Sequence, residues 1–327
     1  LFHLKFSSTD MSRVRFAISP LWETMHAVRS LIDPAQSAYH LPWLDEVRPA
    51  LRQLDVAPLT AITPLRGYHP DFPTPAPDRP RPSIDAQLAT VRSTPLAQVR
   101  RELAQAASKR GGAPPPEVLI ELIGDPQAAR DRIADSLQAC WQRLVGPHWP
   151  RIEELLASDI SHHSRILAEG GLERLFPSLS PKLYWSEPVL RVANRQPLSR
   201  RSLGGAGLVL QPSAFAWPNV IVVDDSDPVR LIYPARGIAE LWQPVATVTS
   251  AALARLLGAT RARLLTSLQE DATTTTLSRR HGLAPGTVSE HLSTLAAARL
   301  ITAARSGRSV TYSLTPLGRD LLIGTID

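Results

Sequence analysis

Apolar and polar positions alternate with three successive rhythms along the chain. At the start, Phe2, Leu4 and Phe6 are separated by polar neighbours, the two-residue period of a half-buried strand; a turn at 7–10 and a short extended run to Ile18 follow. A period of three to four then takes over. Ser19 and Pro20 open a helix with Leu21, Met25, Val28 and Ile32 on one face, and Trp43, Val47, Leu51 and Leu54 mark another that carries Pro49 inside it. Prolines at 64, 70, 73, 75, 77, 80 and 82 each fix φ and remove a donor, so this stretch reads as an extended surface loop. The helical period returns over 83–92, 95–108, 116–123, 126–145 and 149–169, with prolines at several starts and glycine or GGAPPP breaks between them. After Gly170, Gly171 and one more short helix, strand signals appear at 182–185, 189–192, 207–211, 220–223 and 229–233, with Asp224 to Asp227 as a hairpin turn. Together with the N-terminal strand these predict a mixed or antiparallel sheet backed by a helical bundle, an α+β domain over 1–240.

The remaining residues, 241–327, form a second domain with a denser pattern. One helix holds Leu253, Leu256 and Leu257, a second is capped by Thr260 and holds Leu264, Leu265 and Leu268, and 315–326 closes the chain as a further apolar-faced helix. Between them lies the most informative stretch. A short helix after the threonines holds Leu277 and stops at His281 and Gly282, where glycine supplies a left-handed turn that Leu283 plugs. Pro285 or Gly286 starts a second helix with Val288, Leu292 and Leu295 inward. Thr287, Ser289, Glu290, Ser293 and Thr294 take the opposite face, with His291 among them, and small polar side chains let a helix enter the roughly 12 Å major groove. Leu300 to Ala304 and Ser309 to Leu314 then alternate as a hairpin whose RSGR turn places Arg305 and Arg308 where phosphates flank a groove. Helix, turn, helix and basic hairpin is the order of a winged helix-turn-helix, and these eight residues are the candidate DNA contacts.

This stretch resembles the DNA-binding domain of the ArsR family of bacterial repressors. The resemblance is carried by Leu277, TVSEHL at Thr287 to Leu292, Leu295, Ala298, Leu300, Arg305, Gly307, Arg308, Tyr312 and Leu314. Arg299 stands where the family has the glycine of an A-G-L step, and Glu290 where arginine or glutamine is usual; a glutamate can accept from a cytosine amino group. The resemblance implies a homodimer paired through the first and last helices of the domain, for which Leu253, Leu257, Leu317, Leu321 and Leu322 are placed. Upstream, RVRFAISPLWE (Arg13 to Glu23), GYHPDF (Gly67 to Phe72), HWPRIEELL (His148 to Leu156), GGAGLVLQPSAFAWP (Gly204 to Pro218) and YPARG (Tyr233 to Gly237) resemble actinobacterial ArsR-type regulators with a long uncharacterised N-terminal domain.

Charge sharpens this picture. The formal net charge is +6, and from Val248 onward nine arginines face five acids, so the positive charge is concentrated around the proposed DNA contacts. The single Cys140 excludes an intramolecular disulfide and a Cys-rich zinc site. No apolar run reaches the roughly 18 residues of a membrane helix and no basic-then-apolar leader opens the chain, which predicts a cytoplasmic protein without a membrane partner.

Catalytic and cofactor chemistry finds little support. Gly204, Gly205 and Gly207 precede a strand and not a helix, so they read as a tight turn and not a phosphate loop. His162 and His163 are adjacent and diverge by about 100° on a helix, too far to chelate one ion. The two positions at which ArsR relatives hold metals fall on 277–280 and 317–323, and neither offers a ligand set. GxSxG, HExxH and paired-carboxylate motifs are missing, so neither an enzyme nor a metal or other cofactor is expected. All seven tryptophans precede the DNA-binding elements and are suited to line a pocket for a small organic effector. The sequence therefore predicts a DNA-binding transcriptional regulator, a repressor released by an organic effector or partner at the N-terminal domain. The rival is an interaction module whose winged helix binds protein; an enzyme with a fused winged domain comes third.

Overall fold

In the computed structural model the chain divides into two units, Leu1–Trp242 and Gln243–Asp327. The structure describes residues 1–32, 38–64, 67–193, 199–224, 228–242, 250–268, 271–306 and 309–323.

The first unit opens with β1 (Phe2–Lys5), α1 (Ser8–Ser12) and β2 (Arg15–Phe16). The predicted turn at 7–10 is a helical turn because Ser7 and Asp10 form a reciprocal capping box. Then come α2 (Pro20–Ile32), α3 (Leu41–Leu51), α4 (Ala57–Ile62), α5 (Ile84–Arg92), α6 (Leu96–Ser108), α7 (Glu117–Gly124), α8 (Pro126–Cys140) and α9 (Trp149–Leu179). In α9 two helical stretches meet at Gly170 and Gly171, the second at φ +60, a conformation that glycine adopts without steric cost. Pro49 lies inside α3, which still buries Trp43 and Val47, while Leu54 falls beyond its end.

The strands β3 (Leu183–Ser186), β4 (Val189–Val192), β5 (Ser199–Ser202), β6 (Leu208–Ser213), β7 (Ile221–Val223) and β8 (Val229–Pro234) complete the unit. They build two sheets and not one. The first has the order β3-β4-β1-β5, with β1 antiparallel to β4 and parallel to β5; the second has the order β2-β6-β8-β7, parallel except for the β7–β8 pair. The turn expected between β7 and β8 falls mostly on 225–227, outside the described residues.

Helix α2 sets the layering. Leu21, Met25 and Val28 join the helical core with Ile133, Leu137 and Ile152, while on its other side Trp22 packs with Val223 and Ile232 of the second sheet. A helix covered on both sides cannot show the one-sided pattern its sequence suggested, and ten of its residues are buried, Glu23 and His26 among them. The sheets pack around Leu4, Phe176, Leu190, Leu210 and Leu231. The proline-rich stretch is irregular, as predicted, but it is not all surface: Phe72 and Thr74 are buried, because the Glu102 carboxylate accepts from the Asp71 and Phe72 amides at 2.8 and 2.9 Å. Trp242 belongs to this unit, its Nε1 donating to His40 Nδ1 at 2.7 Å.

The second unit comprises α10 (Ser250–Leu257), α11 (Ala259–Ser267), β9 (Ala272–Thr273), α12 (Thr274–His281), α13 (Pro285–Ala297), β10 (Ile301–Ser306), β11 (Ser309–Leu314) and α14 (Pro316–Ile323). Gly258, and not Thr260, caps α11. β9, β10 and β11 form a three-stranded antiparallel sheet in the order β10-β11-β9. One core joins the helices to the sheet through Leu264, Leu265, Leu277, Val288, Leu292, Leu295 and Leu314. Gly318 lets α14 lie against the chain at Leu300, whose carbonyl a Cβ there would strike.

Candidate nucleic-acid interface

The α12–turn–α13 segment is fixed by local chemistry. Thr273 caps α12 by accepting from the Thr276 amide at 3.2 Å, and Gly282 ends the helix in the left-handed region at φ +64. Leu283 follows with its amide on the Ser278 carbonyl and its side chain against the core. Pro285 occupies the first turn of α13.

Core spacing decides which α13 residues are free. Val288, Leu292 and Leu295 are fully buried, and Thr287, Ser289, Glu290, Ser293 and Thr294 are all exposed on the other side. His291 is half-buried, since three residues from Val288 and four from Leu295 put it at the edge of the core stripe. It therefore contributes less to the exposed face than the sequence suggested. The Thr294 hydroxyl donates to the Glu290 carbonyl at 3.1 Å and keeps its acceptor lone pairs outward. Ala284 at the N-cap offers no side-chain acceptor, so the Gly286 and Thr287 amides stay available to solvent or to a phosphate at the positive end of the helix.

Arg299 explains the departure from glycine in structural terms. It follows the C-cap of α13 at φ +57, the one non-glycine left-handed residue among the described ones. Its amide donates to the Ala296 carbonyl and that of Leu300 to Leu295, the paired bonds of a Schellman ending. An arginine here carries the steric strain that glycine would avoid.

The hairpin β10–β11 follows at once, paired from Ile301↔Leu314 to Ser306↔Ser309. Arg305 lies near its tip, opposite Val310; Arg308 lies outside the described residues. Sequence reasoning passed over the end of α12. Arg279 is exposed there, the Arg280 guanidinium reaches the Ser267 carbonyl, and His281 Nε2 meets Ser267 Oγ at 2.7 Å. Burial, then Arg263 and Arg280, hold the His281 pKa below its usual value, favouring the neutral ring. The signal was the RRH run at a helix C-terminus, where cations interact well with the helix dipole.

The residues expected to pair across a dimer divide into two sets. Leu253 and Leu322 are buried in their own unit, so they are not open to a partner; Leu257 and Leu321 are partly buried against the same core. Leu317 is 53% exposed, and Leu256, which was not expected at a dimer contact, is 69% exposed. Among the described residues no group of three or more His, Cys, Asp or Glu side chains is placed to hold a metal ion, and no helix is long and apolar enough to cross a membrane.

Residues 85–238 match the model of a family of unknown function, DUF5937, a span that lies wholly within the first unit. No curated protein matches the chain. No solved structure matches it.

Proposed function

We propose that the chain is a transcriptional regulator of the ArsR type that binds double-stranded DNA sequence-specifically as a homodimer. In this reading residues 243–327 are a winged helix-turn-helix and α13 enters the major groove. The observation that carries it is the exposed face of Thr287, Ser289, Glu290, Ser293 and Thr294 opposite a fully buried Val288, Leu292 and Leu295, with the β10–β11 hairpin directly behind. Five short or polar side chains reach base edges, and the weakly capped start of α13 approaches a phosphate. Leu256 and Leu317 are the apolar contacts left for the partner protomer. The regulator is a repressor released when a small organic effector binds in the first unit. An effector acts this way only if it binds the DNA-incompetent state more tightly, and a hundredfold preference corresponds to about 2.7 kcal/mol of coupling.

The wing gives a direct test. Arg305→Ala and Arg308→Ala are expected to weaken binding to specific and nonspecific duplexes alike and to lower the salt slope by about 0.9 for each phosphate that is no longer neutralised. Unchanged affinity and slope for both variants would remove the hairpin from the interface. A protein-binding module would show no preference among duplex sequences.

A further inference from the structure

Arg230 is the least expected residue of the first unit. It lies in the interior of β8 with 1% of its surface exposed, and its Nε and Nη1 donate to nothing among the described residues. The Trp22 ring lies 5.6 Å from its guanidinium carbon and covers one face. A buried guanidinium with idle donors is costly, and such groups are retained where something pairs with them.

Arg230 is among the residues lining an open cavity of about 240 Å³. The opposite walls are the Asp71 to Ala76 segment, the end of α5 with Thr90, Ser93 and Thr94, and Gln98 of α6. The hydroxyls of Thr90, Ser93 and Thr94 each donate to a backbone carbonyl of α5, so toward the cavity they offer lone pairs. The Glu102 carboxylate accepts from the Asp71 and Phe72 amides and from Gln98 Nε2, which holds the irregular wall against the helical one. The groove thus has a buried guanidinium among its lining residues and hydroxyl acceptors at Thr90, Ser93 and Thr94.

We propose that this cavity binds a small, singly charged organic carboxylate whose carboxyl group pairs with Arg230 and whose far end carries hydroxyl or ammonium donors for the hydroxyl-lined wall. Nε and Nη1 are closed off from the groove, so the carboxylate meets the guanidinium at Nη2, in one charge-assisted hydrogen bond. Asp71 lies in the same lining and already offsets part of the Arg230 charge, so a doubly charged phosphate is disfavoured more strongly than a singly charged carboxylate. At about 30 Å³ per water in the liquid, the volume suits a ligand on the order of ten non-hydrogen atoms. Burial pushes the Arg230 pKa down to about 10, partly opposed by Asp71, so the group remains a cation at neutral pH. The site itself stands on this geometry; its role as the effector site rests on the regulator reading above.

The test is calorimetric titration of the full-length protein with 4-hydroxybenzoate, glutamate, phenylalanine and shikimate, each beside its neutral amide, and with inorganic phosphate. At least one carboxylate is expected to saturate below about 1 mM, with its amide and phosphate about tenfold weaker or worse. Arg230→Met is expected to weaken that ligand about tenfold or more while melting no lower than the natural protein, since an unpaired buried charge is removed. Ala76→Phe, which narrows the cavity and keeps the cation, is expected to weaken it too. The proposal is overturned if no carboxylate binds below about 10 mM, if the amide binds as well as the acid, or if Arg230→Met binds unchanged. An Arg230-dependent ligand that leaves DNA affinity untouched upholds the site and removes only the effector role; a protein that binds the ligand but no DNA removes only the regulator reading.

Discussion

In Leu1–Trp242 the interior admits Glu23, His26, His40, Glu102, Asp159 and Arg230, whereas in the second unit Ser278 is the one polar residue buried among those described. The second unit follows a binary pattern, apolar inside and polar outside, as on α13. The first unit holds ionisable groups in its interior, where each needs a partner.

The contrast breaks most sharply at Asp159. Its carboxylate accepts from Tyr233 Oη at 2.8 Å and from the Arg236 amide at 2.9 Å, and meets His163 Nδ1 at 3.1 Å. Asp159→Ala leaves Tyr233 Oη and the Arg236 amide without an acceptor, while His163 Nδ1 keeps the residue-159 carbonyl at 3.1 Å, and is expected to cost about 3–5 kcal/mol. All seven tryptophans lie in the first unit, so urea unfolding followed by tryptophan fluorescence reads that unit alone. A cost under about 1 kcal/mol would mean the network contributes little.

Acidity should separate the units next. Burial pushes the Glu23 carboxyl up to about 8, against weaker opposing bonds from Ser213, Ala214 and Phe215. A raised folded pKa stabilises below the unfolded value of 4.5, and that stabilisation is lost as pH rises toward 8, by up to about 1.4 kcal/mol per pH unit. His40 acts with the opposite sign: burial holds it at about 4, so its contribution is present above 6.5 and lost as pH falls toward 4. The two oppose each other between 4.5 and 6.5, which leaves the alkaline limb to Glu23. Glu23→Gln is expected to flatten the fluorescence-detected stability from pH 6.5 to 8; a limb that persists would assign it to other groups.

The smallest effect sharpens the comparison within the second unit. Arg299→Gly is expected to stabilise it by about 1 kcal/mol, because the left-handed conformation already seen at φ +57 then carries no Cβ strain. Gly282→Ala at φ +64 is expected to lose about as much. Hydrogen exchange of the α12 and α13 amides measures both, and equal protection in the two variants would contradict the assigned strain.

The same contrast explains what was legible. In the second unit each device is local: Thr273 before a helix, Gly282 after it, Pro285 starting the next, and a core spaced four and three residues apart. The first unit depends on distant coverage. β5 reads Ser-Arg-Arg-Ser and is a strand only because it pairs beside β1. Val229, Leu231 and Tyr233 take one face of β8, and Arg230 shares the other with Ile232, a face that Trp22 of α2 covers. No periodicity encodes which helix lies over which sheet. At the candidate interface, the inward and outward sides of α13 were legible except at His291, which the edge of the core stripe half-buries. The burial of Leu253 and Leu322 in their own unit was not legible, since an apolar position does not say which chain covers it.

Footprinting of the full-length protein on fragments of the genome that encodes it tests sequence-specific binding by a dimer most directly. Sequence-specific protection is expected of two inverted half-sites whose centres lie about one helical turn, or a multiple of it, apart, with loss of base preference but not of nonspecific affinity when Ser289 and Ser293 are replaced by alanine. Protection that shows no sequence preference, or a preference that survives those replacements, would contradict it.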